Sequence, residues 1–277
     1  MLIDTHAHLN FNAYKDDAPD VIRRSLDNDV WMINVGSQYE TSKRAVEIAE
    51  RYEKGVCAAI GLHPIHLAGG IFKTKVDTEE IEFETREEEF NYEKYKNLAR
   101  LSKVVAIGEI GLDYYYRPKT KIKLEQFKNK QKEVFLKQLE LAEELNLPVI
   151  FHCRMAHEDL INILNTKYKI QNTNLGGVIH CFTGNWEQAG KYLEMGFCLG
   201  FNGLIFKMDF DEVIGKIPLE KILIETDCPY LTPPPETGRN EPLYLKHVVE
   251  RIAKIKNLSY EELSEKTTKN AKKLFKI

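Results

Sequence analysis

The 277-residue chain has few of the features that mark disulfide-bonded, secreted or membrane-spanning proteins. Its five cysteines are an odd number and form no CxxC pair, so we expect reduced thiols in a reducing compartment. No apolar run approaches the ~20 residues that a membrane span needs. The first residues lack the basic and apolar regions of a signal peptide. We therefore expect a cytoplasmic protein without a membrane partner.

The chain also lacks a strong excess of charge of either sign. Its 39 basic and 42 acidic residues give a net charge of −3 and a pI near 6.3. This balance argues against a protein that coats nucleic acid through a generally basic surface. It remains compatible with a nuclease that holds only a strand end, because bound metal ions supply positive charge where the phosphate lies.

What the chain does have is a series of short apolar runs separated by amphipathic segments. The runs read "MLIDTH", "WMINVG", "VCAAIG", "VVAIGE", "PVIFHC", "GGVIHC", "GFCLGF" and "ILIETD". Nearly continuous apolar character is typical of strands buried on both faces, and eight such strands alternating with helices predict a closed (β/α)₈ barrel. A doubly wound open sheet is the alternative, although no GxGxxG turn follows the first strand.

We predict one α/β domain over residues 1–277, with the active site at the C-terminal ends of the strands. Within it, residues 68–101 are more acidic and longer than an ordinary loop and helix, and we interpret them as an extended charged insertion. A solvated face is the simpler interpretation of this segment. A lid or a partner surface beside the site is the other.

Metal-binding side chains stand where the predicted strands end. His6 and His8 are one residue apart, so on a strand they face the same side, and two neutral imidazoles suit zinc and similar ions. A single histidine at a strand end is more often structural. Several ligand-type residues at the ends of five strands that meet at one rim are better explained by two divalent ions. The predicted ligands are His6, His8, Glu109, His152, His180 and Asp227.

The chemistry of each carboxylate suggests its role. Glu109 has two oxygens and is central in chain order, so we expect it to bridge the two ions. Asp227 can bind one ion and accept the proton of the attacking water as a general base. Glu225, two residues earlier, either orients a histidine or is an ordinary strand carboxylate. The ligand set admits zinc, manganese or magnesium.

Several motifs in order along the chain resemble the TatD family of metal-dependent deoxyribonucleases. They are "IDTHAHLNF", "GLHP", "VVAIGEIGLDYYY", "PVIFHCRMA", "VIHCFTG", "GFCLGFNG" and "LIETDCPYLTPPP…GRNEP". The resemblance implies an amidohydrolase-type barrel and hydrolysis of phosphodiester bonds, often from the 3′ end of single-stranded or frayed DNA, with RNA as a second candidate substrate. It implies the same six metal ligands, and it suggests that His63 and Arg154 contact phosphate.

Some expectations remain open at this point. Tyr114 opens a run of three tyrosines after the fourth strand and is a candidate for stacking on a base, with packing into the barrel rim as the alternative. The proline-rich "CPYLTPPP" segment predicts a stiff loop after the last strand, anchored by Asn240 and Glu241. Arg239 is a weaker candidate for phosphate contact. We expect a monomer.

Two other functions fit the same metals or the same fold. One is hydrolysis of an ester or amide, such as the aminoacyl ester removed by a D-aminoacyl-tRNA deacylase, since a fold does not determine a substrate. The other is a scaffold without activity. The intact ligand set argues against a scaffold, because buried carboxylates and imidazoles without a metal are costly.

Overall fold

All eight apolar runs form strands in the computed structural model. The described residues hold ten strands, β1 (Leu2–Ala7), β2 (Val30–Val35), β3 (Val56–Ile60), β4 (Gly70–Val76), β5 (Glu79–Thr85), β6 (Val104–Asp113), β7 (Val149–Arg154), β8 (Gly177–Ile179), β9 (Cys198–Phe201) and β10 (Ile222–Ile224). Eight of them make one parallel sheet in the order β1-β2-β3-β6-β7-β8-β9-β10. The other two, β4 and β5, form a separate antiparallel hairpin.

The eight-stranded sheet curls until its first and last strands meet. Ala7 and Cys228 form a parallel bridge. Next to it, the Asp227 amide donates to the His6 carbonyl at 2.8 Å, and the His8 amide donates to the Cys228 carbonyl at 2.9 Å. The result is a nearly closed barrel, which confirms the predicted architecture and excludes the open sheet.

Helices connect most successive strands, as a parallel sheet requires. The described helices are α1 (Ala18–Asp27), α2 (Tyr39–Ala49), α3 (Tyr92–Ala99), α4 (Lys121–Leu145), α5 (His157–Asn162), α6 (Trp186–Glu194), α7 (Asp211–Lys216), α8 (Leu245–Lys256) and α9 (Tyr260–Phe275). The amphipathic segments "ETSKRAVEIAERYEKG", "LEQFKNKQKEVFLKQLELAEELNL" and "NWEQAGKYLEMG" contain most of α2, most of α4, and α6. Of these, α4 is the longest at 25 residues and ends at Asn146, which takes the left-handed conformation.

The structure describes residues 1–68, 70–76, 79–85, 87–115, 118, 120–167 and 173–277, and for 70–85 and 167 the backbone alone. The β4–β5 hairpin therefore shows where the predicted insertion leaves the barrel, between β3 and α3. Most of the acidic side chains on which its interpretation depends lie outside the described residues. The choice between a solvated face and a lid stays a prediction.

Apolar residues fill two layers on either side of the barrel wall. The inner cluster takes residues from all eight barrel strands, such as Ile33 and Val35 of β2, while Met32, directly before Ile33, joins the outer cluster under the helices. This alternation is the two-residue period of a strand. Ala271 and Phe275 of α9 belong to the inner cluster. Polar side chains lie at the C-terminal ends of the strands, beyond these apolar clusters.

Two further observations bear on the compositional expectations. Each of the five cysteines is a free thiol; Cys57 and Cys181 are partly buried and the other three are buried. Within the described residues, none of the helices has the length and apolar character needed to cross a bilayer.

Candidate metal centre

The six predicted ligands converge on one point at the C-terminal rim of the barrel. His6 is the penultimate residue of β1, and His8 lies just beyond that strand. Glu109 and His152 lie in β6 and β7. His180 directly follows β8, and the backbone after β10 brings Asp227 alongside β1. Four of the six are almost completely buried, whereas the side chains of His152 and Asp227 are 15% and 16% exposed. The fold thus assembles residues that are as much as 221 positions apart.

Glu109 lies between two sets of histidines. Its Oε2 is 3.5 Å from His6 Nε2. Its Oε1 is 2.5 Å from His152 Nδ1 and 3.5 Å from His180 Nε2. A carboxylate whose two oxygens face different imidazoles has the arrangement needed to join two cations.

His6, His8 and Asp227 form a compact group of three ligand atoms. The two Nε2 atoms are 3.1 Å apart, and Asp227 Oδ1 lies 3.3 Å from that of His8 and 3.9 Å from that of His6. Around a tetrahedral zinc with bonds of about 2.0–2.1 Å, neighbouring ligand atoms lie about 3.3 Å apart. The donor types and their spacing therefore fit a divalent ion.

A register shift in β1 gives these two histidines their direction. The pairing of β1 with β2 is regular from Leu2 to Asp4 and shifts before Ala7. Below the shift Ile3 belongs to the inner cluster, and above it Ala7 belongs to the outer one. The shift reverses which residues face inwards, so that His6 and His8 point into the barrel mouth.

Hydrogen-bond partners hold the outer nitrogens of two histidines. His8 Nδ1 is 2.8 Å from the Val35 carbonyl, which requires the proton on that nitrogen and leaves Nε2 as the electron-pair donor. His180 Nδ1 lies 2.8 Å from Glu225 Oε1. Glu225 also accepts from the Cys181 amide at 2.7 Å. The contact expected of Glu225 with a histidine is therefore present, and such partners orient metal-binding imidazoles.

His152, like His180, has carboxylates facing both of its nitrogens. Beside the Glu109 contact, its Nε2 lies 3.0 Å from Asp113 Oδ2. Burial alone would lower the pKa of His152, but the charges of Glu109 and Asp113 outweigh it and raise the pKa to about 9. His63, Asp113 and His152 make a further group with metal-ligand spacing.

The remaining charges at the centre stabilise one another. Burial opposes ionisation of Glu109, yet the histidines around it, His63 first, hold its pKa well below the usual range. Burial likewise opposes ionisation of Asp227, but its bond to His8 and the charge of His180 keep the pKa low. Both carboxylates are ionised at neutral pH and are therefore able to bind a cation.

Sequence reasoning missed two carboxylates of this site. Asp113 ends β6 four residues after Glu109, and Asp4 precedes His6 by two in β1. Asp4 is fully buried and accepts from the Thr226 amide at 2.9 Å and from its hydroxyl at 2.5 Å, which ties β1 to the loop after β10. The two-residue strand period relates Asp113 to Glu109 only once β6 is known to continue beyond the predicted run "VVAIGE", and the register shift in β1 separates Asp4 from His6.

The predicted substrate-binding residues are placed differently from one another. His63 lies in the centre, with Nε2 3.6 Å from Glu109 Oε1. The guanidinium carbon of Arg154 lies 3.7 Å from the centroid of the Tyr115 ring, which is 42% exposed. The Tyr114 side chain, by contrast, is buried, and its hydroxyl donates to Asp159 at 2.6 Å. Tyr115, and not Tyr114, is therefore exposed at the rim. Of the two interpretations of Tyr114 from the sequence, packing into the barrel rim agrees with its burial.

A barrel that gathers four histidines and two carboxylates at its C-terminal rim is the architecture of a metal-dependent hydrolase. Comparisons with known proteins agree with this class. An uncharacterised metal-dependent hydrolase from Bacillus subtilis, YabD, is 43% identical over 282 residues that span both chains completely. The 3′-5′ ssDNA/RNA exonuclease TatD of Shigella flexneri is 32% identical, over 100% of this chain and 99% of its own.

Family and structural comparisons narrow the class further. The crystal structure of YJJV, a TatD homologue from Escherichia coli, superposes with a TM-score of 0.82 at 27% identity, over 100% of this chain and 98% of its own. The family model described as TatD related DNase matches residues 3–276. The chain belongs to the TatD-related DNase family, and it is a metal-dependent hydrolase of ester bonds.

Proposed function

We propose that the chain is a two-metal exonuclease that hydrolyses phosphodiester bonds from the 3′ end of single-stranded DNA, with RNA as a possible second substrate. The observation that carries the proposal is the position of Glu109, whose two oxygens face two histidine sets. A pair of cations bridged in this way suits displacement at phosphorus, where charge develops on two oxygens at once. The exonuclease named among the relatives supports this substrate class.

The residues divide into two ligand sets that share Glu109. His6, His8 and Asp227 would hold one ion, while His152 and His180 would hold the other. When bound, the ions lower the pKa of water and offset the negative charge on the scissile phosphate. Four imidazoles favour zinc or manganese, and the carboxylates also admit magnesium.

Asp227 accepts the proton of the attacking water in this proposal. Its low pKa keeps it in the basic form at neutral pH, and its side chain is the most accessible of the ligand set. His8 and the backbone bond to His6 hold the carboxylate in place. A general base needs this combination of ionisation, access and fixed position.

His63 and Arg154 are proposed to hold the phosphate beside the centre. His63 faces Glu109, and the ring centroids of His63 and His152 are 4.2 Å apart. Arg154 ends β7, two residues after His152, and its planar guanidinium can donate two parallel bonds to a phosphate. An aminoacyl ester carries no phosphate at the bond that is cleaved, so phosphate-binding groups directly beside the metal centre favour the nuclease over the deacylase.

The proposal is tested by digestion of 3′- and 5′-end-labelled single-stranded DNA with added magnesium, manganese or zinc. We expect a ladder that shortens from the 3′ end, and a loss of at least about 100-fold in rate for Glu109→Ala, since the variant loses the residue that joins both ligand sets. Glu133→Ala is the matched control, because this exposed glutamate pairs with Lys137 on the surface of α4.

Two results would contradict the proposal. One is an unchanged rate in Glu109→Ala with a normal melting temperature. The other is absence of cleavage with every metal combined with release of the amino acid from D-aminoacyl-tRNA, which would assign the centre to ester hydrolysis at an RNA end.

A further inference from the structure

A second pocket opens at the end of the barrel opposite the metal centre. Its volume is about 510 Å³. Pro148, Gly176 and Lys221 line it, and each directly precedes a barrel strand. It therefore lies at the N-terminal ends of β7, β8 and β10, whereas the metal ligands lie at the C-terminal ends. A volume of this size is within the range of small-molecule sites.

Lysines from three parts of the chain surround this pocket. Lys266, Lys269 and Lys273 are spaced by three and four residues on α9, so they share one helix face. The lining lysines are Lys221, Lys266, Lys269, Lys273 and Lys276, and Glu220 is the one acidic residue among the described lining. The whole chain carries a net charge of −3, so this concentration of positive charge is local.

The α9 lysines that line the pocket differ from several other helical lysines, which are paired with a carboxylate. Lys137, Lys191 and Lys216 each pair with a glutamate four residues earlier. Among the residues the structure describes, Lys266 and Lys273 have no carboxylate within 4.0 Å of their ammonium groups. Like charges without counter-charges repel one another in a concave site, and their shared field attracts an anion.

One hydrogen bond fixes Lys221 at the pocket wall, and the charges of Lys221 and Lys273 both act on a thiol of that wall. Lys221 Nζ donates to the Gly196 carbonyl at 2.6 Å, which places the ammonium at the pocket wall. Burial raises the pKa of the Cys198 thiol in the same wall, and the charges of Lys221 and Lys273 oppose that rise. Lys221 and the lysines of α9 thus contribute to one electrostatic potential at the pocket.

We propose that this pocket binds a compact small molecule with two or more phosphate groups. Five ammonium groups from two sides suit several clustered negative charges better than a single carboxylate. The pocket volume suits a molecule of nucleotide size rather than an extended polymer. The binding site is separate from the metal centre and does not depend on the proposed nuclease activity.

The test is calorimetric titration of the full chain at fixed ionic strength in excess magnesium, so that the probes do not strip metal from the other site. The probes are ATP, inorganic tripolyphosphate and fructose 1,6-bisphosphate. We expect saturable 1:1 binding of at least one of them, and a Kd at least tenfold higher in the double variant Lys266→Ala, Lys273→Ala. Comparing the three probes shows whether a nucleoside, a sugar or phosphate alone is recognised.

The matched control is the double variant Lys54→Ala, Lys254→Ala, which removes the same charge from exposed positions outside the pocket. Its Kd should stay within twofold of the parent. Alanine is the best helix former, so the α9 variant should keep its melting temperature.

Three outcomes would overturn the proposal. The first is equal Kd values in the two double variants. The second is equally tight binding of sulfate, which would mean general charge screening. The third is competition by a short single-stranded oligonucleotide with the same sensitivity to the α9 lysines, which would assign the pocket to a nucleic-acid path.

Discussion

At the scale of single residues, the centre consists of ionisable groups that would be costly if buried alone. Glu109 is ionised in a buried site because histidines surround it, and His180 keeps a pKa of about 10 despite burial because Glu225 and Glu109 face it. The burial of each charged group is tolerated because neighbouring groups of opposite charge offset its desolvation. Substitution of one member therefore changes the protonation of the others, and activity losses in this cluster should not be additive.

Tyr115 offers a test of substrate contact at this scale. Arg154 packs against its exposed ring beside the metal centre. If a base of the single strand stacks there, Tyr115→Ala should raise KM for single-stranded DNA about 5- to 150-fold, since stacking contributes ~1–3 kcal/mol per base. The value of kcat should change little. Steady-state kinetics on an oligonucleotide measure both.

Tyr115→Phe is the control for this prediction, because it keeps the ring and removes the hydroxyl. Its KM should match that of the parent. An equal defect in both variants would show that the hydroxyl, and not the stacking face, binds substrate.

At the scale of elements, the loop after β10 positions Asp227, the proposed general base. Asp227 has a φ of +57°, a conformation that costs free energy outside glycine, and the surrounding bonds must maintain it. Asn240 supplies two of them, since its Nδ2 donates to the Thr226 carbonyl at 3.0 Å and to the Tyr230 carbonyl at 2.6 Å. Arg239 is bonded to Asp17 and lies over Tyr14, so it braces the loop and the expectation that it reaches phosphate finds no support.

Asn240→Ala should therefore weaken both stability and catalysis. We expect a loss of about 1–3 kcal/mol in the free energy of unfolding, because two buried carbonyls lose their donor. The kcat should fall further than the population of unfolded protein explains, since Asp227 loses its fixed position. Urea denaturation and steady-state kinetics measure the two effects.

Asn28→Ala is the control, because Asn28 makes one exposed bond to the Arg24 carbonyl. It should change the free energy of unfolding by less than about 0.5 kcal/mol. A normal kcat in Asn240→Ala would show that the loop holds Asp227 without this anchor.

At the scale of the whole molecule, metal binding and pH should act together on stability. Without metal, His152 and His180 have pKa values of about 9 and about 10, against 6.5 when unfolded. Groups with raised pKa stabilise the fold fully below the unfolded value and lose that contribution as pH rises through the folded one. The pKa values of His6 and His63 are lowered, so these two residues change the free energy of unfolding only below pH 6.5.

The chelator-treated protein should therefore lose stability steadily between pH 6.5 and 9.5. The metal-loaded protein should lose less over this range, because ligation requires neutral imidazoles and metal affinity increases as protons leave. Urea midpoints at several pH values, with and without metal, measure the difference. A constant midpoint in the chelated protein would contradict the assigned charge network.

Several features of this protein follow from the sequence alone. Eight buried strands each need a continuous apolar run, and such runs are visible without any tertiary information. The candidate ligands could be chosen for the same reason, since His6, Glu109 and His152 stand where the apolar runs of the sequence end and parallel strands end at one rim. The motif order then identified the family that the comparisons show.

Other features depend on contacts between distant residues, which no local pattern encodes. The register shift in β1 arises from pairing with β2 and decides that His6 and His8 face inwards. Asp113 and Asp4 became recognisable only through their partners His152 and Thr226. The choice between Tyr114 and Tyr115 also required the fold, because burial of one ring and exposure of its neighbour depend on how α4 and α5 pack over β6. Strand identity is a property of a few adjacent residues, whereas side-chain direction and protonation are set by residues brought together across the barrel.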